Sequence, residues 1–361
     1  MKPLTCATRL CVLVVTGLTL LSSPLFLAHT SAEASNQCTR QTLPITLSPV
    51  DPTSYTLVGW LCGKAPLPGR TLQVLLHGGT YNHTYWDTAY KPQLYSYVDA
   101  MTKAGYATFM LDRIGYGESD HPVPELITIQ TNAFMVHQVV QALRSGTIEG
   151  IRFGKVILVG HSMGTATAWE EASRYNDVDG VINTGLLHNS DVNFIARAFS
   201  NLYPASSDPQ FQTQGLPPGY LTTQPGTRDE LFYYPSNADP QVIASDETTK
   251  DTLTDGELET IGPSAYSLAS RSITVPVFSL IGEYDNVSCG GTINCHDPTA
   301  VYTYEAQYYA PQACFELAVV PNTGHSLNLH LSADTTYQRI QTWLQRRIGV
   351  TPQQPPTDPC Q

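Results

Sequence analysis

The sequence predicts an α/β fold: a mostly parallel central sheet flanked by helices, with a cap inserted after the sixth strand. Three observations carry this. Short apolar runs alternate with segments whose apolar residues recur at helical spacing, the pattern of successive βαβ units. One such run, Val156-Ile157-Leu158-Val159, leads straight into Gly160-His161-Ser162-Met163-Gly164 and then into a helix-compatible stretch at 165–172. The alternation then stops between 188 and about 270, a gap too long for a loop inside a compact domain.

Taken in order, residues 55–61 alternate like a strand near a sheet edge, and 71–76 read as a buried strand ending in His77-Gly78-Gly79. A helix over 94–103 closes at Gly105, and a strand over 107–111 follows. Residues 129–143 carry Phe134, Val136, Val139, Val140 and Leu143 at helical spacing. Beyond the 156 strand and its helix comes a strand over 180–187. The inserted segment, 188–270, holds several Pro-Gly turns and an acidic helical stretch over 242–258. Its aromatics (Phe194, Phe199, Tyr203, Phe211, Tyr220, Phe232, Tyr233 and Tyr234) are candidates to line a substrate pocket or to pack the cap on the body. The alternation resumes with a strand over 275–281, a helix over 298–309, a strand over 315–320 and a helix over 335–347. A Pro-rich tail, 349–361, ends the chain.

Residues 1–34 read as a secretory signal: Lys2 and Arg9, then an apolar run from Leu10 to about Leu27, then Ala32-Glu33-Ala34 as the cleavage site, making Ser35 the first mature residue. An uncleaved anchor is the competing reading, since the run approaches spanning length. The mature chain, 35–361, is expected to be secreted, with no membrane partner after cleavage. The whole sequence has a formal net charge of -12 and no Lys/Arg cluster, which argues against nucleic acid or anionic membrane as partners. Of eight cysteines, Cys6 and Cys11 leave with the signal, and an even set of six suggests three disulfides, though six cysteines allow fifteen pairings. Cys289 and Cys295 are close enough to close a small loop. Cys38 with Cys62 could tie the N-terminal segment to the first hairpin, leaving Cys314 with Cys360 to pin the tail. Cys289, Cys295 and His296 could instead be metal ligands, but no second pair of zinc-like spacing accompanies them. No metal and no cofactor is expected.

Gly-x-Ser-x-Gly between a strand and a helix forms a tight turn in which a Cβ at either glycine would clash and the serine is held in a strained conformation, Oγ outward. A serine hydroxyl is a weak nucleophile and needs a base, which in turn needs an acid to fix its tautomer. The residues for this stand at strand ends: Leu76-His77-Gly78-Gly79, Leu111 to Asp120, Gly160-His161-Ser162-Met163-Gly164, Ile281-Gly282-Glu283-Tyr284-Asp285 and Asn322-Thr323-Gly324-His325.

Together, in the chain order Ser…Asp…His, these motifs resemble the α/β-hydrolase fold over nearly all of the mature sequence. The resemblance implies a secreted esterase- or lipase-like serine hydrolase working through an acyl-enzyme. Ser162 would be the nucleophile, His325 the base and Asp285 the acid. His330 competes with His325, and Asp191, just past the 180–187 strand, competes with Asp285. The oxyanion would be met by the backbone N–H groups of Met163 and Gly79. His77 reads as a buried, hydrogen-bonded residue, Asp112 and Arg113 as pins for the strand end, and Glu283 as a structural neighbour. Asn82-His83-Thr84 and Asn286-Val287-Ser288 match a glycosylation pattern but lie beside the expected site, where a glycan would obstruct it.

Serine at the elbow argues against the epoxide hydrolases and dehalogenases of this fold, which resemble it but place Asp there. A small-molecule ester or lactone, apolar or aromatic, is the expected substrate. Amide cleavage and a lipase reaction on long acyl chains are the alternatives. A lyase or cofactor-free peroxidase can keep the same triad. A secreted binding protein on a retained hydrolase fold is the non-enzymatic alternative; such proteins often lose a triad member, and here all three appear.

Overall fold

The computed structural model describes residues 37–360; the expected signal segment, 1–34, and its cleavage site lie outside them. The strands β1 (Gln37–Thr46), β2 (Ser54–Gly63), β3 (Leu72–Leu76), β4 (Ala107–Asp112), β5 (Val156–His161) and β6 (Val181–Thr184) precede the insertion, and β10 (Val277–Gly282) and β11 (Glu316–Val320) follow it. They form one eight-stranded sheet in the order β1-β2-β4-β3-β5-β6-β10-β11. β2 runs antiparallel to both of its neighbours, and every pairing from β4 to β11 is parallel. β3, β4 and β5 are buried at every position, as expected of parallel strands covered on both faces.

Strand pleating sends alternate residues to two cores. Leu72, Val74, Leu76, Val156 and Leu158 meet α3 (Ile129–Ser145) and α4 (Met163–Tyr175) on one face. Leu75, Ile157 and Val159 meet α2 (Tyr97–Lys103) and α10 (Ala333–Arg347) on the other. Thr128 caps α3 by accepting from Thr131 N, and Gly146 ends it at φ 84°. The helix expected over 94–103 is two: α1 (Pro92–Tyr95) and α2 meet at Ser96, which is extended and caps α2 by accepting from Asp99 N. The strand expected over 180–187 stops at Thr184, because Gly185 takes φ 68° and leaves the sheet.

The insertion lies between β6 and β10, after the sixth strand. It holds α5 (Val192–Asn201), β7 (Leu202–Pro204), β8 (Tyr220–Thr223), α6 (Arg228–Phe232), α7 (Pro240–Thr249), β9 (Leu253–Thr254) and α8 (Asp255–Ala265), with the three strands in a small antiparallel sheet. The single helical stretch expected over 242–258 is broken into α7, β9 and α8. Lys250 ends α7 because its ammonium is drawn inward to Asp208, Glu247 and the Thr223 carbonyl. Thr254 restarts the helix with a capping box to Glu257. The helix expected over 298–309 is α9 (Pro298–Glu305) continued by one 3-10 turn. Disulfides join Cys38–Cys62, which face each other across β1 and β2, Cys289–Cys295 and Cys314–Cys360. Pairing of Cys289 with Cys295 removes the thiolates that a metal reading of that loop would need. No helix among the described residues is long and apolar enough to cross a membrane.

Candidate active site

Ser162 stands between β5 and α4 at φ 53°, ψ -120°, a conformation that costs an L-residue on the order of 1–3 kcal/mol and persists only where packing enforces it. Here β3 and α4 do the enforcing. A Cβ on Gly164 would overlap the carbonyl oxygens of Leu76 and His77, and one on Gly160 would strike the Thr165 backbone. Ser162 N donates to Thr184 O at 2.8 Å, tying the turn to β6. Met163 opens α4, so its N–H has no intrahelical acceptor and the positive end of the helix faces the turn. Gly79, Ser162 and Met163 line one cavity.

His325 and Asp285 come from the loops after β11 and β10. His325 Nδ1 donates to Asp285 Oδ2 at 3.0 Å, and both side chains are buried. Asp285 Oδ1 accepts from Val287 N at 2.9 Å and Ser288 N at 3.4 Å, which fixes the carboxylate. The two loops press together at Gly282, where a Cβ would overlap the carbonyls of Thr323 and Gly324. Gly185, with its positive φ, leaves room for the His325 ring: its Cβ would sit 3.1 Å from Cε1. The ring also lies 4.8 Å from that of His161, the residue before Ser162, and 5.6 Å from Phe232, which lines the cavity.

The competing residues are engaged elsewhere. Asp191 caps α5, accepting from Phe194 N at 2.9 Å. His330 donates from Nδ1 to Ser326 O, while Nε2 accepts from Tyr234 N and Gly324 N at 2.9 and 3.1 Å; burial pushes its pKa down to about 4. His77 is buried and accepts at Nε2 from Arg113 N, and burial, then the Arg113 charge, holds it well below the usual histidine range. His161 is held well below that range by burial, then by His325. Asp112 accepts from His83 N, His83 Nδ1 and Glu118 N, and Arg113 donates to the His77 and Gly78 carbonyls. Glu283 accepts from Asn322 N and pairs with His296. Asn82 and Asn286 are half-buried, and their side-chain amides donate to Asp251 and to the Glu230 carbonyl.

Two buried arginines, whose partners sequence reasoning missed, bolt the insertion to the body. Arg113 meets Glu257 of α8, which also accepts from the Tyr116 hydroxyl at 2.5 Å. Arg228 of α6 binds Asp246 of α7 at 2.9 Å, donates to Thr80 after β3, and lies over the Tyr81 ring at 4.3 Å. The Thr254-x-x-Glu257 spacing was the available signal for the first.

The cavity measures about 290 Å³. Its wall is apolar: Phe194, Ile195, Ala198 and Phe199 from α5, Leu231 and Phe232 from α6, Leu258, Ile261 and Ala265 from α8, and Leu253 and Val287. Of the eight inserted aromatics named from the sequence, Phe194, Phe199 and Phe232 reach it, and so does a ninth, Tyr266. Phe211, Tyr220 and Tyr233 are buried in packing, Tyr203 bonds Asp208, and Tyr234 stacks on Tyr284 at 3.8 Å.

A mostly parallel sheet with a serine elbow after β5 and paired Asp and His loops after the last two strands defines a class of protein, the α/β hydrolases. The profile of the alpha/beta hydrolase family matches residues 73–337, and the chain belongs to that family. Its fold is similar to that of the Paleococcus ferrophilus monoacylglycerol lipase, with 17% identity and a TM-score of 0.55 over 80% of this chain and 98% of that one. It is also similar to a soluble variant of the Saccharomyces cerevisiae monoglyceride lipase (16% identity, TM-score 0.58, covering 84% and 96%) and to a bromoperoxidase from Bacillus anthracis (17%, 0.56, 84% and 99%). No curated protein matches it in sequence.

Proposed function

We propose that the protein is a secreted serine hydrolase that cleaves carboxylic esters of modest apolar acyl groups through an acyl-enzyme. The observation that carries this reading is Ser162, strained at the mouth of α4 and open to an apolar cavity, together with a buried His325–Asp285 pair whose imidazole lies 4.8 Å from the ring of His161, the residue before Ser162. His325 takes the Ser162 proton as Oγ attacks the ester carbonyl, and Asp285 holds the imidazole tautomer and stabilises the imidazolium. The N–H groups of Met163 and Gly79 receive the oxyanion, each such donor being worth roughly 3 kcal/mol. His325 then returns the proton to the leaving alcohol, and water repeats the cycle on the acyl-enzyme. A serine ester supplies the whole sequence of steps with no cofactor. The three disulfides fit an oxidising compartment, in keeping with the leader expected at 1–34.

A fluorophosphonate probe tests the nucleophile: it labels the wild type and not Ser162→Ala, and labelling that survives the substitution removes Ser162 from the role. Activity on p-nitrophenyl esters of increasing acyl length, with a lactone and an anilide alongside, tests the bond cleaved. Exposed apolar residues favour a second reading, a lipase acting at a lipid surface: Val192 and Phe199 on α5, and Tyr266 and Leu268 just after α8, are all more than half exposed. That reading requires a rise in rate when the same ester passes from monomers to micelles.

A further inference from the structure

We propose that His137, Glu171 and Asp177 form a binding site for a zinc-class divalent cation that ties α3 to the C-terminal end of α4. These residues serve no step of the proposed hydrolysis. His137 comes from α3, Glu171 from the last turns of α4, and Asp177 from the turn that follows it. One ligand atom of each lies within 4.8 Å of the others, a span that a single cation can bridge.

The second observation is what the carboxylates lack. Glu171 is fully buried, and neither of its oxygens receives a hydrogen bond; Asp177 Oδ1 is buried and without a donor too. A carboxylate buried without any donor, as Glu171 is, facing a second carboxylate oxygen that also lacks one, is expensive unless a cation or a proton lies between them. The nearest guanidinium does not fill that place. Arg144 donates to the carbonyls of Asp177 and Gly154 and to Asp179. The other Asp177 oxygen, Oδ2, accepts from His137 Nδ1 at 2.8 Å and Gln141 Nε2 at 2.6 Å.

The donor set selects the ion. One imidazole nitrogen with two carboxylates suits zinc and its transition-metal neighbours, whereas calcium and magnesium prefer all-oxygen shells. His137 and Asp177 are partly exposed, so an ion has a way in and water can complete the shell. The Tyr175 ring, stacked on His137 at 4.0 Å, orients the imidazole. The site sits at the C-terminal end of α4, where the helix dipole favours a cation. The consequence is structural: the ion anchors the far end of the helix whose first residue follows Ser162.

The test uses the protein expressed from its full sequence, stripped with a chelator and dialysed against zinc chloride, manganese chloride or calcium chloride. Elemental analysis should find about one zinc per chain, and zinc should raise the Tm by about 5 °C. Glu171→Gln and His137→Ala should each lose the bound zinc and the Tm shift, while fluorophosphonate still labels Ser162. Should Glu171→Gln fail to fold, the partly exposed His137→Ala variant carries the comparison. Zinc retained at full stoichiometry in His137→Ala, binding of calcium alone, or no bound ion in the wild type would each overturn the proposal. In the last case a proton shared between Glu171 and Asp177 holds the pair.

Discussion

Asp285 Oδ2 accepts a 3.0 Å hydrogen bond from His325 Nδ1, while Asp191 Oδ1 accepts from the backbone of Phe194. The two aspartates follow neighbouring strands, yet one faces an imidazole and the other caps a helix. Asp285→Asn should therefore lower turnover by about four orders of magnitude, the loss seen when a triad acid is replaced. Asp191→Asn keeps a capping oxygen and should stay within about tenfold of wild type. Steady-state kinetics on one ester ranks the pair, and the opposite order would move the acid to the earlier strand.

Burial keeps His77, His161 and His330 neutral in the fold. Below pH 6.5 the unfolded chain binds protons that the folded chain does not, so stability is intact above that pH and falls as pH drops toward 4. His330 alone, held down at about 4, accounts for roughly 3 kcal/mol of the loss. His330→Gln should cost some stability at pH 7.5 and flatten the acid limb by about one proton. Urea unfolding across pH 4.5–7.5 reads both effects, and parallel curves for the two proteins would contradict the assignment.

Ala198 lines the cavity from α5. Ala198→Phe fills part of about 290 Å³ from a helix that carries none of the proposed catalytic residues. We expect kcat/KM for an acetate ester to change less than about threefold, while a long-chain ester loses tenfold or more, about 1.4 kcal/mol. An unchanged chain-length profile would mean that the acyl group binds elsewhere.

What could be read in advance followed the sheet. Apolar runs such as Val156 to Val159 are buried on both faces, so their sequence signal is strong and local. Ser162, Asp285 and His325 stand in the loops after such strands, which is why all three could be named from the sequence; of them, Asp285 and His325 are joined by a 3.0 Å hydrogen bond. The insertion was opaque because its order comes from long-range pairs. Lys250 turns inward to partners at 208 and 247, Arg228 reaches Thr80, and Arg113 reaches Glu257. Composition marks an aromatic but not the direction it faces, so Phe232 and Tyr233, adjacent in sequence, split between cavity wall and packing.

Gly282 ends β10 just before Asp285, and its backbone is not in the left-handed region. Its reason is contact: the carbonyls of Thr323 and Gly324 occupy the space where a Cβ would stand. Gly324 in turn is pressed against the Tyr233–Tyr234 backbone, with a Cβ placed 2.6 Å from Tyr234 N, so the base loop cannot retreat. Gly282→Ala must then push the acid loop away from the base loop. Overpacking of this kind costs typically 1–3 kcal/mol, small enough for the protein to fold. The effect on turnover should be larger, because a displacement near 1 Å in a reacting constellation can cost about a hundredfold. We expect kcat to fall by about that factor with KM little changed and a Tm lower by several degrees. Gly69→Ala, at a glycine whose Cβ would find only Pro352 at 3.6 Å, is the control: its positive φ also strains the backbone, but it should lose stability without losing kcat. Equal loss of kcat in both variants would show that general destabilisation, not separation of Asp285 from His325, sets the rate.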